Sequence, residues 1–471
     1  MCEVYIKINM FLNFLKGVKM NRKIVLFLLI VIPFMLISCI GGKEEEEVSK
    51  ELNITGGQEL AELEQLQKLV KEQKDQLKML EAQLKQKKTS GSSKAEIQAL
   101  AKEITKQKSA LIEVAQKAET VSSVKGQIVW QMFRGIPSHD FYSGPNILPP
   151  LDFKWRFRAG AGFDASPVMG KSNIYIGSLD NNFYAIDKKS GQIVWKVPSQ
   201  GAISSTAALY GGIIYYGTET GVVFAVNAND GKVLWKARLG GPIKLSSPAV
   251  FSRIVVIGCM DNNVYALDRE TGNIVWKHSA FMPVASSPTI ANGMVYIGSI
   301  DKTLYALDVD NGSIQWQFQA GNAISSTPAE YKATLYFGSD DKKIYALDAL
   351  NGSLKWTFPT EGWVASSPVI KDGILYIGSN DKFVYALSAE NGKLFWKTET
   401  EGKVLTVPFI VNNIIYVASG KDLIALDIKT GEKKWSQKYD YAIKSSPIGE
   451  DGIVYFADSD SSVMALESVA R

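Results

Sequence analysis

The chain is poor in the residues on which much enzyme chemistry is built, for its 471 residues hold 3 cysteines and 2 histidines. Cys2, Cys39 and Cys259 are too few and too scattered for a disulfide framework. His139 and His278 stand in no metal-ligand spacing. Histidine acid–base chemistry and zinc binding have little to work with, so no catalytic residue and no metal ligand is expected. Charge of either sign is also nearly balanced. The formal net charge is +4, and 1–38 holds Lys7, Lys16, Lys19, Arg22 and Lys23 against Glu3, which leaves the remainder near neutral. Such a surface offers no electrostatic footprint for nucleic acid. The apolar run at 24–37 is short for a bilayer, which takes roughly 20 residues of helix.

What the chain has instead is repetition. An alanine is followed six residues later by glycine and ten later by tryptophan in seven copies, which are Ala185/Gly191/Trp195, Ala225/Gly231/Trp235, Ala266/Gly272/Trp276, Ala306/Gly312/Trp316, Ala346/Gly352/Trp356, Ala386/Gly392/Trp396 and Ala425/Gly431/Trp435. With Trp155 in front, successive tryptophans are 39 to 41 residues apart. A fixed period of this length marks a repeat protein. Each unit carries short runs rich in β-branched and aromatic residues, such as VYIGS at 295–299, LYALD at 304–308 and SIQWQF at 313–318, which read as strands. A turn opened by Asp or Asn and ended by glycine joins the last two into a hairpin. A fourth run, SSPTI at 286–290, opens the unit, and four antiparallel strands per forty residues read as a propeller blade.

Strand counting predicts how the ring closes. Trp155 lies on a tryptophan strand with no unit before it, while the last unit supplies SSPIG, IVYFAD and VMALE but no tryptophan strand. The two ends complete each other. Seven whole units and one shared unit make an all-β, eight-bladed propeller over 126–471, closed by its N- and C-terminal strands, and closure removes exposed sheet edges at the seam.

The motif Ala-x-Asp-x-x-Thr-Gly-x-x-x-Trp, complete at 266–276 and 425–435, resembles the tryptophan-docking signature of eight-bladed propellers of the pyrroloquinoline quinone (PQQ) type. Asn227, Ser388 and Glu467 depart from its Asp position. The resemblance implies that Trp155, Trp195, Trp235, Trp276, Trp316, Trp356, Trp396 and Trp435 fill one inter-blade slot each, rather than stacking on a cofactor. It implies less about function, because the same fold is similar both to quinoprotein dehydrogenases and to non-catalytic envelope lipoproteins of the BamB type, subunits of the outer-membrane β-barrel assembly machinery. A dehydrogenase of that family is expected to carry adjacent cysteines over its cofactor and acidic calcium ligands. Adjacent cysteines are absent, so the sequence reads as a protein-binding scaffold without a cofactor. A PQQ-dependent enzyme and an extracytoplasmic ligand sensor remain the alternatives.

The N-terminal third reads as anchor, tether and helices. From Met20, the expected start, a basic opening, an apolar run and Leu36-Ile37-Ser38-Cys39 form a signal peptide over 1–39 that resembles a bacterial lipobox, with Cys39 as the lipidated residue. An uncleaved membrane helix is the alternative. The protein is then expected in the cell envelope, lipid-anchored to the outer membrane and facing the periplasm. An acidic tether follows at 40–57, with glutamates at 44–47. Over 58–121 apolar residues recur at coiled-coil spacing in two series, Leu63 to Leu84 and Ile97 to Val121, split by TSGSS at 89–93. The reading is an antiparallel helical hairpin, with self-association through a coiled coil as the alternative. Trp130 and Phe133, in an irregular lead-in, are expected to pack on the propeller.

Candidate sites come from loops that break the repeat. Ser247, Ser287, Ser367 and Ser446 recur around the ring with no adjacent base, so they read as structural rather than nucleophilic. Asp308, Asp310 and Asn311 are out of phase with a calcium loop and read as a turn. Cys259 stands where other units have serine and reads as a small buried residue. Five residues before the Ser-Ser-Pro proline, or its counterpart, the ring reads Gly162, Ala202, Ile243, Pro283, Ala323, Trp363, Lys403 and Ala442. Trp363 is out of character there. It is expected to anchor a partner at the channel mouth, extended by Phe281, Met282 and Lys403; capping the channel is the alternative.

Overall fold

The computed structural model describes residues 147–469 without a break and, ahead of them, scattered positions between 68 and 100. The described positions from 68 to 87 are helical, and Lys87 Nζ lies 3.5 Å from Glu96 Oε2. The Glu96 N–H donates to Ser93 Oγ at 3.3 Å, as at a helix start. The signal peptide with Cys39, the tether, most of the hairpin, and Trp130 and Phe133 in the lead-in lie outside the described residues. No helix among the described residues is long and apolar enough to cross a membrane.

From 147 on, 32 strands form eight four-stranded antiparallel sheets. Seven are continuous in sequence, at 168–198, 208–238, 249–279, 289–319, 329–359, 369–399 and 409–438, called blades 1 to 7 here. The short first strands of successive blades approach one another, so they surround the axis. The second and third strands carry the core: in blade 4, Met294–Gly298 and Thr303–Asp308 are almost wholly buried. The fourth, Ile314–Gln319, alternates between covered and exposed positions, as expected of a rim strand.

Blade 8 is built from both ends of the described chain. Leu151–Arg158 pairs antiparallel with Ser462–Ser468 and supplies the fourth strand that the last unit lacks. The substitute is complete in its bonds. Trp155 Nε1 and Tyr455 OH, 300 positions apart in sequence, both donate to the Lys188 carbonyl of blade 1, at 2.9 and 3.4 Å.

That convergence is the repeated device. Trp276 Nε1 reaches the Val309 carbonyl of the next blade at 2.9 Å, and Trp316 Nε1 and Tyr296 OH share the Ala349 carbonyl at 3.1 and 3.0 Å. Trp195, Trp235, Trp356 and Trp396 bond the matching carbonyls of Ala228, Arg269, Ala389 and Ile428. Trp435 makes no such bond among the described residues. After each alanine the pairing slips by one residue, as between Ala306 and Leu307, and such a bulge re-aims the indole toward the neighbouring blade. The turn glycine receives it. Gly312 has φ +71°, and a Cβ there would lie 2.5 Å from Cε3 of Trp276, so glycine is required by backbone and by neighbour alike.

The three departures from the Asp position separate into two kinds. Asp268 Oδ1 accepts the Thr271 N–H at 2.9 Å and the Thr271 hydroxyl at 2.8 Å, and Asn227 Oδ1 and Ser388 Oγ accept N–H groups in the same turn. Glu467 is different. It stays in strand and pairs with Lys154 across the seam.

Candidate functional site

The loops into the first strands and the hairpins between second and third strands lie at the same end of every blade, around the channel mouth. Their backbones interlock in one pattern. The Leu179, Glu219, Ile300, Asp340, Asn380 and Ser459 N–H groups donate to the carbonyls of Gly162, Ala202, Pro283, Ala323, Trp363 and Ala442. In blade 3 the Met260 N–H donates to Pro242, not to Ile243. The equivalence expected for Ile243 is therefore corrected: it is fully buried, matching Ile203 and Val284, and the loop carries one extra residue. That residue is Leu245, at φ +66° and 60% exposed.

Carboxylates pin the loops from below. Asp301 Oδ2 accepts the Phe281 N–H at 3.0 Å and the Tyr305 hydroxyl at 2.8 Å, while Asp381 Oδ2 accepts the Glu361 N–H at 2.9 Å and the Tyr385 hydroxyl at 2.7 Å. Asp180 does the same for Gly160 and Tyr184. Burial alone would raise the Asp180 pKa, but the Tyr184 hydroxyl and the Gly160 and Asn182 donors outweigh it and hold the carboxyl below its ordinary value. Burial, then the Asp301 partner, pushes Tyr305 up to about 12, so the pin keeps its proton at neutral pH. Cys259 takes the serine role here: its thiol donates to the Gly241 carbonyl at 3.1 Å, and burial raises its pKa to about 11. It is inert.

On these fixed loops the structure places large apolar side chains in water. Trp363 is 54% exposed and Phe281 88%, with Met282 and Lys403 exposed as well. The Trp363 backbone is held from both sides, since its carbonyl accepts Asn380 N–H at 2.8 Å and the Ser379 hydroxyl at 3.3 Å. Sequence reading missed three more residues of this kind, Leu245, Leu405 and Tyr441, all about half exposed. Leu405 could have been found by the same comparison of loops, because its counterparts include Ser204, Ala285, Ser325 and Ala365. Between them sit ion pairs, Lys444 to Asp164 at 2.8 Å and Lys244 to Glu219 at 3.1 Å.

The serines expected to be structural form a ring at the axis. Each first strand has no inner neighbour, so its N–H groups need acceptors from elsewhere. The Ser166 N–H donates to Thr206 Oγ1 at 2.9 Å, Thr206 to Ser247 Oγ at 3.1 Å, Ser247 to Ser287 Oγ at 2.9 Å, and Ser446 back to Ser166 Oγ at 2.9 Å. The proline that follows has no N–H to satisfy. Asp308 likewise spends its Oδ1 on the N–H groups of Asp310 and Asn311, as a turn does. Among the described residues no three His, Cys, Asp or Glu side chains are grouped to hold a metal ion. The three cysteines, Cys2, Cys39 and Cys259, are nowhere adjacent in the sequence.

Solved structures share the fold. BamB from Moraxella catarrhalis superposes with a TM-score of 0.59 at 18% identity, covering 67% of this chain and 99% of that one. A europium-containing methanol dehydrogenase gives 0.65 at 15% identity over 74% of this chain and 100% of that one. The quinohemoprotein alcohol dehydrogenase ADHIIG from Pseudomonas putida HK5 gives 0.63 at 16%, over 75% and 82%. Among curated proteins no sequence relative is found. At these identities the superpositions speak for the propeller alone. A sequence-family model discriminates further: the model described as outer membrane protein assembly factor BamB matches 116–250, 219–362 and 356–469, taking in every blade described above, and the chain belongs to that family.

Proposed function

We propose that this protein is a non-catalytic scaffold of the bacterial envelope, lipid-anchored through Cys39 at the outer membrane, that docks envelope proteins on its channel-mouth face. The observation that carries the reading is the pairing of rigid loops with exposed anchors. Phe281 and Trp363 stand in water on backbones clamped by Asp301, Ser379 and Asn380, so little ordering entropy is lost when a partner covers them. Aromatic side chains so placed are the usual anchors of interfaces, and the exposed Lys403 adds a cation on the loop of the blade after that of Trp363. Family membership makes components of the β-barrel assembly machinery the first partners to test.

Calorimetry of the full chain in detergent against purified assembly components is the direct test. Trp363→Ala should weaken binding by about 2 kcal/mol, roughly thirtyfold, while moving stability by less than about 0.5 kcal/mol. Unchanged affinity, or no binding by the wild type, would remove the reading. Anchoring has its own readout: Cys39→Ala should end incorporation of a labelled fatty acid, and a variant that still took up label would exclude this residue.

A further inference from the structure

The hairpin tip between the first two strands and the turn into the fourth lie at the end of each blade opposite the mouth. In blades 1 to 3 these segments, taken with the fourth strand, span 170–172 and 187–198, 211–212 and 227–238, and 252–253 and 268–279. They hold ten lysines and arginines against four acids. The matching segments of the other five blades, with Glu467 at the turn position of blade 8, hold eleven of each sign. Among the described residues only Lys188 of the ten closes an ion pair, with Glu450 of blade 8 at 2.6 Å. The positive charge of the ring is therefore gathered on one side of its far end.

The bulged position just before the tryptophan adds a second feature to the same three blades. There Val194, Leu234 and Val275 stand 45 to 48% exposed, while blades 4, 5, 7 and 8 have Gln315, Lys355, Lys434 and Lys154. Blade 6 has Phe395, an apolar residue between two blades with lysine at this position. Ile193 and Ile274, about half exposed, widen the apolar surface of blades 1 and 3. Lysine follows the tryptophan in all three, and Lys236 and Lys277 lie over the rings of Phe224 and Tyr265 at 4.8 and 5.5 Å, which holds their charge at the rim. Three consecutive blades thus carry a strip of aliphatic side chains edged by cations, along the corner between the rim and the face opposite the mouth.

We propose that this strip docks on the surface of a bilayer that carries anionic phospholipid. Charge sets the sign of the occupant, since clustered lysines and arginines beside exposed apolar residues draw a protein to anionic headgroups. Side-chain type sets its class. Valine and leucine are scarce among the anchors of protein interfaces, which the mouth supplies instead as Trp363 and Phe281. Aliphatic groups of this size can enter the headgroup boundary while the lysines stay at the phosphates. The contact is weak by itself and rests on the lipid-anchored reading above, because an anchor holds the propeller within reach of the membrane at high effective concentration. Docked this way, the mouth faces away from the bilayer and stays open to partners.

The test uses the full chain with phosphatidylcholine vesicles, made with or without phosphatidylglycerol. Co-flotation reads the anchor, and a polarity-sensitive fluorophore on one introduced cysteine reads the docking; Cys259 is buried and does not compete for the label. Ile274 of blade 3 and Leu354 of blade 5 hold the same repeat position and are both 53% exposed. The label on Ile274→Cys should shift to the blue when phosphatidylglycerol is present, and the shift should vanish at about 1 M salt, where the screening length falls to about 3 Å. The label on Leu354→Cys should report water throughout. Adding Lys196→Glu with Lys236→Glu should abolish the shift and leave flotation intact. Equal emission from the two labelled positions on anionic vesicles, or a shift that survives both glutamates, would overturn the docking whatever flotation shows. A shift that appears only with added assembly components would overturn it in favour of an acidic protein surface. If the wild type failed to float, the anchored reading would fall, and vesicles in excess would still let the same fluorophore decide the strip.

Discussion

The two ends of a blade obey opposite rules. At one end, the turn into the fourth strand repeats its glycine in all seven continuous blades, because the indole of the preceding blade lies against it: a Cβ would come within 2.5 to 2.8 Å of that ring at every one of them. At the other end, seven of the eight mouth loops keep the same backbone hydrogen bond but not their side chains, and Gly162, Pro242, Ala323 and Trp363 occupy one backbone position. A neighbour constrains the first end and water borders the second. Side-chain identity is dictated where another blade touches it, and is free to serve a partner where nothing does.

The largest break of this contrast is to remove the neighbour. Deleting 152–159 takes away the fourth strand of blade 8 together with Trp155, the donor to Lys188. It exposes the strand Ser462–Ser468 and opens the ring at blade 1. Cooperative thermal unfolding should be lost, as read by calorimetry; a deletion that melted as sharply as wild type would mean the seam carries no load. A graded version replaces single glycines. Gly312→Ala combines a left-handed φ with a clash on Trp276, for about 3 kcal/mol. Gly373→Ala, at φ +76° with nothing within 4 Å of the added Cβ, should cost only about 1 kcal/mol. Equal losses in urea titrations would show that strain alone, not the indole, selects glycine.

The same contrast explains what was legible in the sequence. The tryptophan period, the turn glycines and the shared eighth blade were readable because each is enforced by a contact that repeats. Asn227 and Ser388 were readable as departures but not as equivalents, since only the turn geometry shows that an amide or hydroxyl oxygen can accept the same N–H. Ile243 was misaligned for a physical reason: counting back from proline assumes equal loop lengths, and Leu245 lengthens one loop by taking a left-handed φ that a sequence does not display. The exposure of Trp363 lay beyond periodicity altogether, because nothing in the repeat says whether an unmatched side chain turns inward or outward.

The axial ring allows the smallest and sharpest break, at the one position where the serine or threonine pattern lapses. Val407 stands where blades 1 to 3 have Ser166, Thr206 and Ser247. Its N–H still donates to Ser446 Oγ at 2.9 Å, but it offers no hydroxyl to the preceding blade, and the Ser367 N–H has no acceptor among the described residues. Thr327 shows that threonine is accommodated at this position, for its own N–H donates to Ser367 Oγ at 2.9 Å. Val407→Thr keeps the shape of a residue that is 2% exposed and supplies the missing oxygen. The swap loses the burial of one methyl group, about 0.8 kcal/mol, and gains a hydrogen bond while relieving an unsatisfied N–H, together about 2 kcal/mol. The net expectation is a stabilisation of about 1 kcal/mol in urea unfolding, with slower hydrogen exchange at the Ser367 amide. A variant less stable than wild type, with exchange at Ser367 unchanged, would show that the ring is filled by packing at this blade and that the hydroxyl pattern matters only where a blade already has it.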